Sequence, residues 1–478
     1  MKIKISKIQK GIVLLGLSCF LFTSAIAQSE WTLEDCIKYA FDNNIQIKRQ
    51  ELQSDMAKNN YTQSKMDRLP DLNAGTSFNS SYGRSVDRFT NDFTNTNVLS
   101  ANGSIQSSVV LFAGFQIYNN IQLNKYNVER SLQDYQKAKN DMALQIATVY
   151  LQILFAQEAL DIATNQLDVT RLQLDKTKKL VEVGNKAKGD LLQIQAQEAN
   201  EKYNVTNAKN NLNIAYLSLR QLLELQDSTD FKIRRPDSMK IDNANILLSV
   251  NEIYNESETK LPQVKSAEYQ LKSYEKGLNA AYGQLSPTLS LSGSYYTGFS
   301  DARKQVISST TSDQVIGYVE GTNASVYTPI TQYQEGNYPF FDQLRDNNNK
   351  SISLNLNIPI FNKFQTRTNI SNARIRVNDA KFNVAQVKKD LYQEIEKAHA
   401  DAVAAYERFK SAQEAVTSNE ESFKYVQQKY EVGMVSSVDF NIAKNDLIKA
   451  QSDLIQAKYE YIFKLKVLDF YRGNILTI

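Results

Sequence analysis

Residues 351–360 read Ser-Ile-Ser-Leu-Asn-Leu-Asn-Ile-Pro-Ile, an alternation of polar and apolar side chains. Because successive side chains of a strand point to opposite faces, this stretch predicts a β-strand with one apolar and one uncharged polar face. Three more segments alternate in the same way, at 72–82, 99–111 and 289–295. A tilted strand of about ten residues is long enough to cross a bilayer. The sequence therefore predicts four transmembrane strands, the alternative being a sheet half-buried on a soluble core.

The first 27 residues have the organisation of a secretory signal peptide. Four lysines between positions 2 and 10 precede an apolar run over 11–22, and Ala25-Ile26-Ala27 supplies a small-residue cleavage site. The apolar run is too short to span a bilayer as a helix, and we identify no other hydrophobic segment of that length. A permanent anchor and lipidation at Cys19 are the alternatives to cleavage. Without the leader Cys36 is the single cysteine, so no internal disulfide is expected.

Composition excludes several classes of protein. Apolar residues make up 42% and charged residues 22% of the 478 residues, which excludes a disordered chain and a helical membrane protein. The formal net charge is only +3, and the leader contributes four of the lysines, so a general nucleic-acid binder is excluded. The chain contains 17 Gly and 7 Pro residues, and so few helix breakers predict long helices.

Short matches at a fixed spacing indicate an internal duplication. Residues 181–184 (Val-Glu-Val-Gly) recur at a spacing of 249 as 430–433 (Tyr-Glu-Val-Gly), and Asp190 recurs at the same spacing as Asp439. We therefore expect two copies of one unit, each ordered helix, strand, strand, long helix, helix.

The spacing between matching residues of the two copies is shorter ahead of the first strand of each copy than after the strands. Leu69-Pro70 matches Ser286-Pro287 at a spacing of 217, so the second copy carries an insertion between its strands that makes up the difference. We place this insertion in an outer loop at about 300–350 and expect it to fold over the external mouth. The expected repeats cover 28–235 and 236–478.

Two segments without Pro or Gly, 116–183 and 365–432, predict two long helices of equal length. Positions that step by four and three residues from Leu391 to Tyr430 are apolar at eleven of twelve places, and the equivalent positions of the first segment at ten of twelve. Such a heptad seam predicts coiled-coil packing. Two short helices stacked end to end match one long helix in length, which suggests a helical cylinder wall. The short helices are expected over 32–66, 190–224, 246–283 and 439–471.

Four strands are too few to close a barrel, and an open sheet edge in lipid leaves backbone groups unpaired. Several chains must therefore share one barrel. Three chains give twelve strands, and the sequence alone does not choose between three and four chains. The fold class expected is α+β: a mostly α-helical coiled-coil tunnel with a four-strand contribution to a shared transmembrane β-barrel.

The chain resembles the TolC-type outer-membrane efflux channel family over essentially the whole mature sequence. The residues that carry the resemblance are 31–37 (Trp-Thr-Leu-Glu-Asp-Cys-Ile), Leu69-Pro70, 111–114 (Leu-Phe-Ala-Gly), 430–433 with Asp439, and Ala457-Lys458-Tyr459. The resemblance implies a homotrimer with a twelve-stranded barrel in the outer membrane and a helical tunnel in the periplasm. It also implies a passive duct for efflux or type I secretion. The implied partners are a periplasmic adaptor, or membrane fusion protein, and an inner-membrane pump of RND, ABC or MFS type.

Candidate site residues cluster at the turns that follow the long helices. Gly184 and Gly433 end these helices, where a left-handed residue is favoured, and are expected as tip turns. Asp190 and Asp439 either cap the next helix or form rings of carboxylates that gate a narrow tip and select cations.

The resemblance also implies a lock of one Arg and two acids after the second turn. The first acid is Asp439, but the second falls on Ile442 and the Arg on Val435, so this lock is not available here. Lys186 or Lys188 are the candidates to pair with the tip acids instead.

No catalytic, cofactor-binding or metal site is expected. The only histidine, His399, lies in a long helix without a ligand cluster, and no zinc-protease, serine-elbow or paired-cysteine motif occurs. Gly184 and Gly189 have phosphate-loop spacing, but Asp190 stands where that loop needs Lys. Two rival classes remain: a non-conducting structural coiled-coil protein of the envelope, which has no need of strands with a polar face, and a diffusion porin, which lacks long helices.

Overall fold

The computed structural model describes residues 30–86, 93–94, 97–225, 231–235 and 248–474, so the expected signal peptide over 1–27 lies outside the described residues. Helices dominate, and the strands are confined to two stretches of the chain. In order, the elements are α1 (Leu33–Asn43), α2 (Ile45–Met66), β1 (Asn73–Ser81), β2 (Ser85–Val86), β3 (Phe93–Thr94), β4 (Val98–Ala113), α3 (Gln116–Glu182), α4 (Lys188–Leu222), α5 (Val250–Lys260), α6 (Pro262–Gly283), β5 (Thr288–Ser300), β6 (Lys304–Tyr318), β7 (Ser325–Asn337), α7 (Phe340–Asp346), β8 (Asn349–Asn357), α8 (Gln365–Glu431) and α9 (Ser437–Tyr471).

The chain divides into two compact units, and each draws residues from both predicted repeats. The helical unit comprises residues up to 56 together with 129–269 and 382–478. The sheet unit comprises 57–128 and 270–381 and contains every strand named above.

The four predicted strands form one antiparallel sheet in the order β1-β4-β5-β8. Its register places Ala74 opposite Ile105, and Leu291 opposite both Val109 and Leu354. β1 and β8 lie at the two edges of this sheet and are exposed along their whole length. The apolar residues that define the β8 alternation, Ile352 and Leu354, are 84% and 64% exposed.

The expected insertion forms a second sheet rather than an irregular loop. β6 and β7 pair as an antiparallel hairpin, and the short helix α7 follows it. The fully buried Gln343 of α7 donates from Nε2 to the carbonyl oxygens of Ser300 and Tyr338, both at 2.9 Å, and its Oε1 accepts from Ser300 N. The end of β5 is therefore fixed by a side-chain amide.

The two helices predicted before the strands are each interrupted, so the prediction of continuous helices over 32–66 and 246–283 is wrong. Asn44 takes an extended conformation between α1 and α2. Its Oδ1 accepts from Gln46 N at 2.9 Å, and its Nδ2 donates to the carbonyl oxygen of Leu222 at 3.0 Å. The second interruption, at Leu261, precedes Pro262, and a residue before proline is driven out of the helical conformation.

Side-chain capping boxes fix the starts of α1 and α5. A capping box begins α1, since Thr32 Oγ1 accepts from Asp35 N at 3.1 Å and Asp35 Oδ2 accepts from Thr32 N at 3.1 Å. Ser249 and Glu252 form the same box at the start of α5. These bonds hold the pKa of the Asp35 and Glu252 carboxyls below their ordinary values.

The elements recur in pairs of equal length. α1 and α5 have 11 residues, α2 and α6 have 22, α3 and α8 have 67, and α4 and α9 have 35. The left-handed residues recur as well. The equivalent left-handed positions are Gly114 and Lys363, Phe115 and Phe364, Gly184 and Gly433, and Glu224 and Gly473.

The core of the helical unit follows the predicted heptad seam. All twelve seam positions from Leu391 to Tyr430 are buried or half-buried, with Ile395, Ala402 and Ala405 completely buried. A second cluster joins α1, α3, α4 and α9 and includes Cys36, whose burial raises its thiol pKa to about 12.

Among the described helices, α3 alone is long and apolar enough to cross a membrane by length and composition, so the expectation that no such segment follows the leader is wrong. Its apolar residues between Met142 and Ala156 include nine that are buried in the helical unit, so core packing accounts for this apolar character.

We expect Gly114→Ala to destabilise the sheet unit by about 2–4 kcal/mol. Gly114 has φ +56°, and a Cβ built there meets the Gly283 carbonyl oxygen at 2.5 Å and Ser286 Cβ at 2.6 Å. Thermal unfolding in detergent, followed by circular dichroism, is the measurement. Gly75→Ala is the matched control, because its Cβ meets only Ser104 Oγ at 3.6 Å. Equal unfolding midpoints for the two variants would contradict the steric account.

Candidate functional site

Two equivalent turns connect the long helices to the helices that follow them. Gly184 and Gly433 both have φ +78°. Asn185 N donates to the Leu180 carbonyl oxygen at 2.8 Å, and Met434 N donates to the Lys429 carbonyl oxygen at 2.8 Å. This is the Schellman arrangement, in which a left-handed residue satisfies the last carbonyls of a helix. Both turns belong to the helical unit, and together with the first turns of α4 and α9 we call them the tip.

Asp439 lies in the first turn of α9 and closes a capping box. Ser436 is the N-cap residue, and its Oγ accepts from Asp439 N at 3.2 Å. The Asp439 carboxylate accepts in return from Ser436 N at 3.2 Å and from Ser436 Oγ at 2.7 Å. Asp439 is nevertheless exposed, so its charge faces solvent while its carboxylate stabilises the helix start.

Asp190 occupies the same place in α4 but has no capping box. Its N-cap residue is Ala187, which has no hydroxyl and makes no side-chain cap bond. The Ser437 hydroxyl instead lies 3.2 Å from Asp190 Oδ1 and 2.8 Å from Gln193 Oε1, and it can donate to either. Asp190 therefore connects the start of α4 to the start of α9.

The two candidate lysines differ in their contacts. Lys186 donates from Nζ to the Tyr430 hydroxyl at 2.6 Å and lies 3.9 Å from the centroid of that ring. Tyr430 stacks in turn on Phe440 at 4.7 Å between centroids. Lys188 is the exposed first residue of α4. Within the described part of the chain, neither lysine forms an ion pair with Asp190 or Asp439, so the expected pairing is replaced by a lysine–tyrosine contact.

A buried polar cluster farther along the helices was not predicted. Lys444 of α9 is 3% exposed, and its Nζ donates to Thr170 Oγ1 of α3 at 2.6 Å. Glu201 of α4, also 3% exposed, places Oε1 4.0 Å from the same nitrogen and accepts from Gln197 Nε2 at 2.6 Å. Burial lowers the pKa of Lys444 below its ordinary value, and the Glu201 charge opposes this effect. The sequence signal that could have revealed this cluster is Thr170, which is one of two polar residues in the otherwise apolar heptad seam of α3.

The chemistry of the tip is that of carboxylates, amides and hydroxyls held by helix starts. Among the residues the structure describes, no group of three His, Cys, Asp or Glu side chains lies close enough to hold a metal ion. His399 is half-buried near the middle of α8, far from the tip in sequence.

Comparison with known proteins identifies the class. The sequence pattern of the outer membrane efflux protein family matches residues 36–224 and 253–474. The chain belongs to this family and is an outer-membrane transport protein.

Its relatives include outer membrane protein TolC of Escherichia coli K12, which is 23% identical over 459 residues that cover 94% of this chain and 83% of that protein. Outer membrane efflux protein BepC of Brucella suis is 20% identical over 93% of this chain and 86% of its own length.

Solved structures show the same fold. CusC superposes with a TM-score of 0.73 at 16% identity, covering 94% of this chain and 93% of that chain. The CmeC outer membrane channel of Campylobacter jejuni superposes with a TM-score of 0.72 at 15% identity, covering 92% of this chain and 85% of its own.

We expect Ser436→Ala to destabilise the start of α9 by about 1 kcal/mol, because Asp439 N loses its acceptor. Ala187→Ser is the reciprocal change. It supplies the missing hydroxyl opposite Asp190 and should stabilise the start of α4 by about 0.5–1 kcal/mol. Thermal unfolding gives the stability, and amide hydrogen exchange over 187–193 and 436–442 assigns the change to one helix. Unaltered amide hydrogen exchange at Asp190 in the Ala187→Ser variant would contradict the account that the missing hydroxyl weakens the start of α4.

Proposed function

We propose that this chain forms the outer-membrane channel of a tripartite efflux or type I secretion system. It conducts substrates passively from an inner-membrane pump and a periplasmic adaptor to the outside. The observation that carries the proposal is the four-stranded sheet, whose strands alternate between apolar and uncharged polar faces and whose edge strands β1 and β8 are fully exposed. Membership of the outer membrane efflux protein family supports it.

The open edges of the sheet support a closed oligomer, and we propose a homotrimer. A strand edge in hydrocarbon leaves unpaired N–H and C=O groups, each costing several kcal/mol, so only a closed barrel spans a membrane. Four strands from each of three chains give twelve, enough for a water-filled lumen lined by Ser and Asn side chains such as Ser353 and Asn355. The helical unit then supplies the wall of a periplasmic tunnel.

We further infer that the chain arose by internal duplication, with repeats over 28–235 and 236–478. The bounds of α2 and α6 differ by 217 in residue number, and those of α3 and α8 differ by 249. These are the spacings of the sequence matches, and the paired left-handed residues recur at the longer spacing. Insertion of the β6–β7 hairpin accounts for the difference.

The tip is proposed as the gate. In a trimer, three copies of Asp190 and three of Asp439 surround the narrow end of the tunnel, where like charges attract cations and bind divalent ions. Asp439 is fixed by Ser436 and Asp190 is tied to Ser437, so the carboxylates are held in place before an ion arrives. Val435 stands where the resemblance implies an Arg partner, and the Lys186–Tyr430 contact links the two turns instead.

We expect the purified trimer to show small cation-selective conductance steps in planar bilayers that Mg²⁺ blocks. The double variant Asp190→Asn and Asp439→Asn should lose cation selectivity and Mg²⁺ block, because it removes the tip charges with little change in shape. Asp379→Asn, an exposed acid on α8 outside the tip, is the control and should behave as wild type. Unaltered selectivity in the double variant would exclude gating by these acids. Absence of conductance in every variant is the behaviour of a structural spacer without a pore.

The hairpin β6–β7 is proposed to cover the external mouth. Replacing residues 304–337 by a short turn, with α7 and Gln343 retained to fix β5, should raise single-channel conductance and leave Mg²⁺ block at the tip intact. Planar bilayer recordings with the same salt on both sides measure this. Unchanged conductance would show that the hairpin lies away from the conduction path.

A further inference from the structure

The two joints between strand and long helix share a backbone but differ in chemistry. The first joint has Gly114 and Phe115 at φ +56° and +61°, and the second has Lys363 and Phe364 at φ +53° and +61°. Both carry an edge-to-face phenylalanine pair, with centroids 5.8 Å apart for Phe112 and Phe115 and 5.9 Å apart in the second joint. The shared frame allows the differing residues to be compared directly.

Lys363 stands in a conformation that favours glycine. A non-glycine residue in the left-handed region is uncommon, and glycine occupies the equivalent position 114 of the first joint. No turn chemistry favours lysine over glycine there, so the cost of the conformation points to a use for the ammonium group.

A second cation, Arg367, follows Lys363 by four residues in the chain. The Arg367 guanidinium is 5.2 Å from the Phe364 ring centroid, within cation–π range. Arg367 and Phe364 line a cavity of about 180 Å³ with Leu285, Ile360, Phe361 and Asn362, and no acidic side chain of the described residues lines it. The equivalent of Arg367 in the first joint is Tyr118, which carries no charge.

The apolar residues of the second joint are strongly exposed. Ile360 is 94%, Phe361 74% and Phe364 57% exposed. The joint follows β8, which the proposed function places in the bilayer, so these side chains lie at the depth where aromatic residues meet lipid head groups. Exposed aromatic side chains, with Arg367 over the Phe364 ring and Lys363 next to Phe364 in the sequence, match a ligand with an acyl chain and a negative head group.

We propose that the second joint binds an anionic phospholipid of the membrane, with its phosphate on Lys363 and Arg367 and its acyl chains on Ile360, Phe361 and Phe364. This inference rests on the proposed membrane insertion of the sheet. The first joint, with Gly114 and Tyr118 at the corresponding positions, contacts lipid without preference for charge.

The test uses the full-length trimer in nanodiscs of phosphatidylcholine mixed with phosphatidylglycerol, and native mass spectrometry of the lipids that remain bound. Wild type should retain phosphatidylglycerol over phosphatidylcholine. Lys363→Gly with Arg367→Gln, which restores glycine at the left-handed position, should lower this preference roughly 25-fold, about fivefold for each charge lost. Lys381→Gln with Lys389→Gln removes two exposed lysines of α8 and is the control of equal charge.

The outcomes separate this proposal from the proposed function. Equal lipid preference in the joint variant and wild type overturns the lipid site while leaving the channel intact. Displacement of phosphatidylglycerol by added inorganic phosphate would show an anion site without lipid recognition and also overturns it. A trimer that enters no nanodisc overturns both proposals. Arg367→Lys keeps the charge and should keep the preference for phosphatidylglycerol. If it does, loss of this preference in the joint variant is not caused by loss of folding.

Discussion

The unpaired edges of the four-stranded sheet constrain the rest of the molecule. β1 and β8 pair with β4 and β5 on one side, and on its other side each nine-residue strand has no partner strand in the described sheet. In water such edges invite aggregation, and in lipid they are prohibitively costly. The proposed barrel, completed by further copies of the chain, would pair these edges. The exposed apolar side chains of β8 and its open edge therefore have one common explanation in the proposed function.

The proposed duplication accounts for two similar backbones that carry different side chains. Ser436 completes a capping box with Asp439, whereas Ala187 leaves Asp190 to contact Ser437 of the other copy. A cap that is missing in one copy thus becomes a link between the two. The strand-to-helix joints diverge in the same way, because Gly114 fits the left-handed position without strain and Lys363 does not.

Features set by local pattern could be predicted from the sequence, and features set by distant contacts could not. The alternation over 351–360 gave β8, and the heptad seam gave the buried face of α8, since both patterns record which side is covered. The break at Asn44 was missed because its amide is held by the carbonyl oxygen of Leu222, far away in sequence. The β6–β7 hairpin was missed because its apolar residues do not alternate with polar ones: Val306 and Ile307 are adjacent, as are Val315 and Ile316, and a run of Ser and Thr lies between them. At the tip the left-handed glycines could be predicted and the gating role of the acids stays a prediction, but the contacts of Lys186 and Asp190 are with residues more than 240 positions away.

The buried cluster of Lys444, Glu201 and Thr170 explains how the tip is kept in alignment. A buried ion pair adds little net stability, because desolvation of both charges offsets their attraction. An apolar heptad seam tolerates a slip of one heptad, whereas a slip here would bury the Lys444 ammonium without Thr170 and Glu201. We infer that the cluster sets the register of α9 against α3 and α4. Because α4 and α9 begin at the tip, that register brings Ser437 to Asp190 and so determines where the two carboxylates lie.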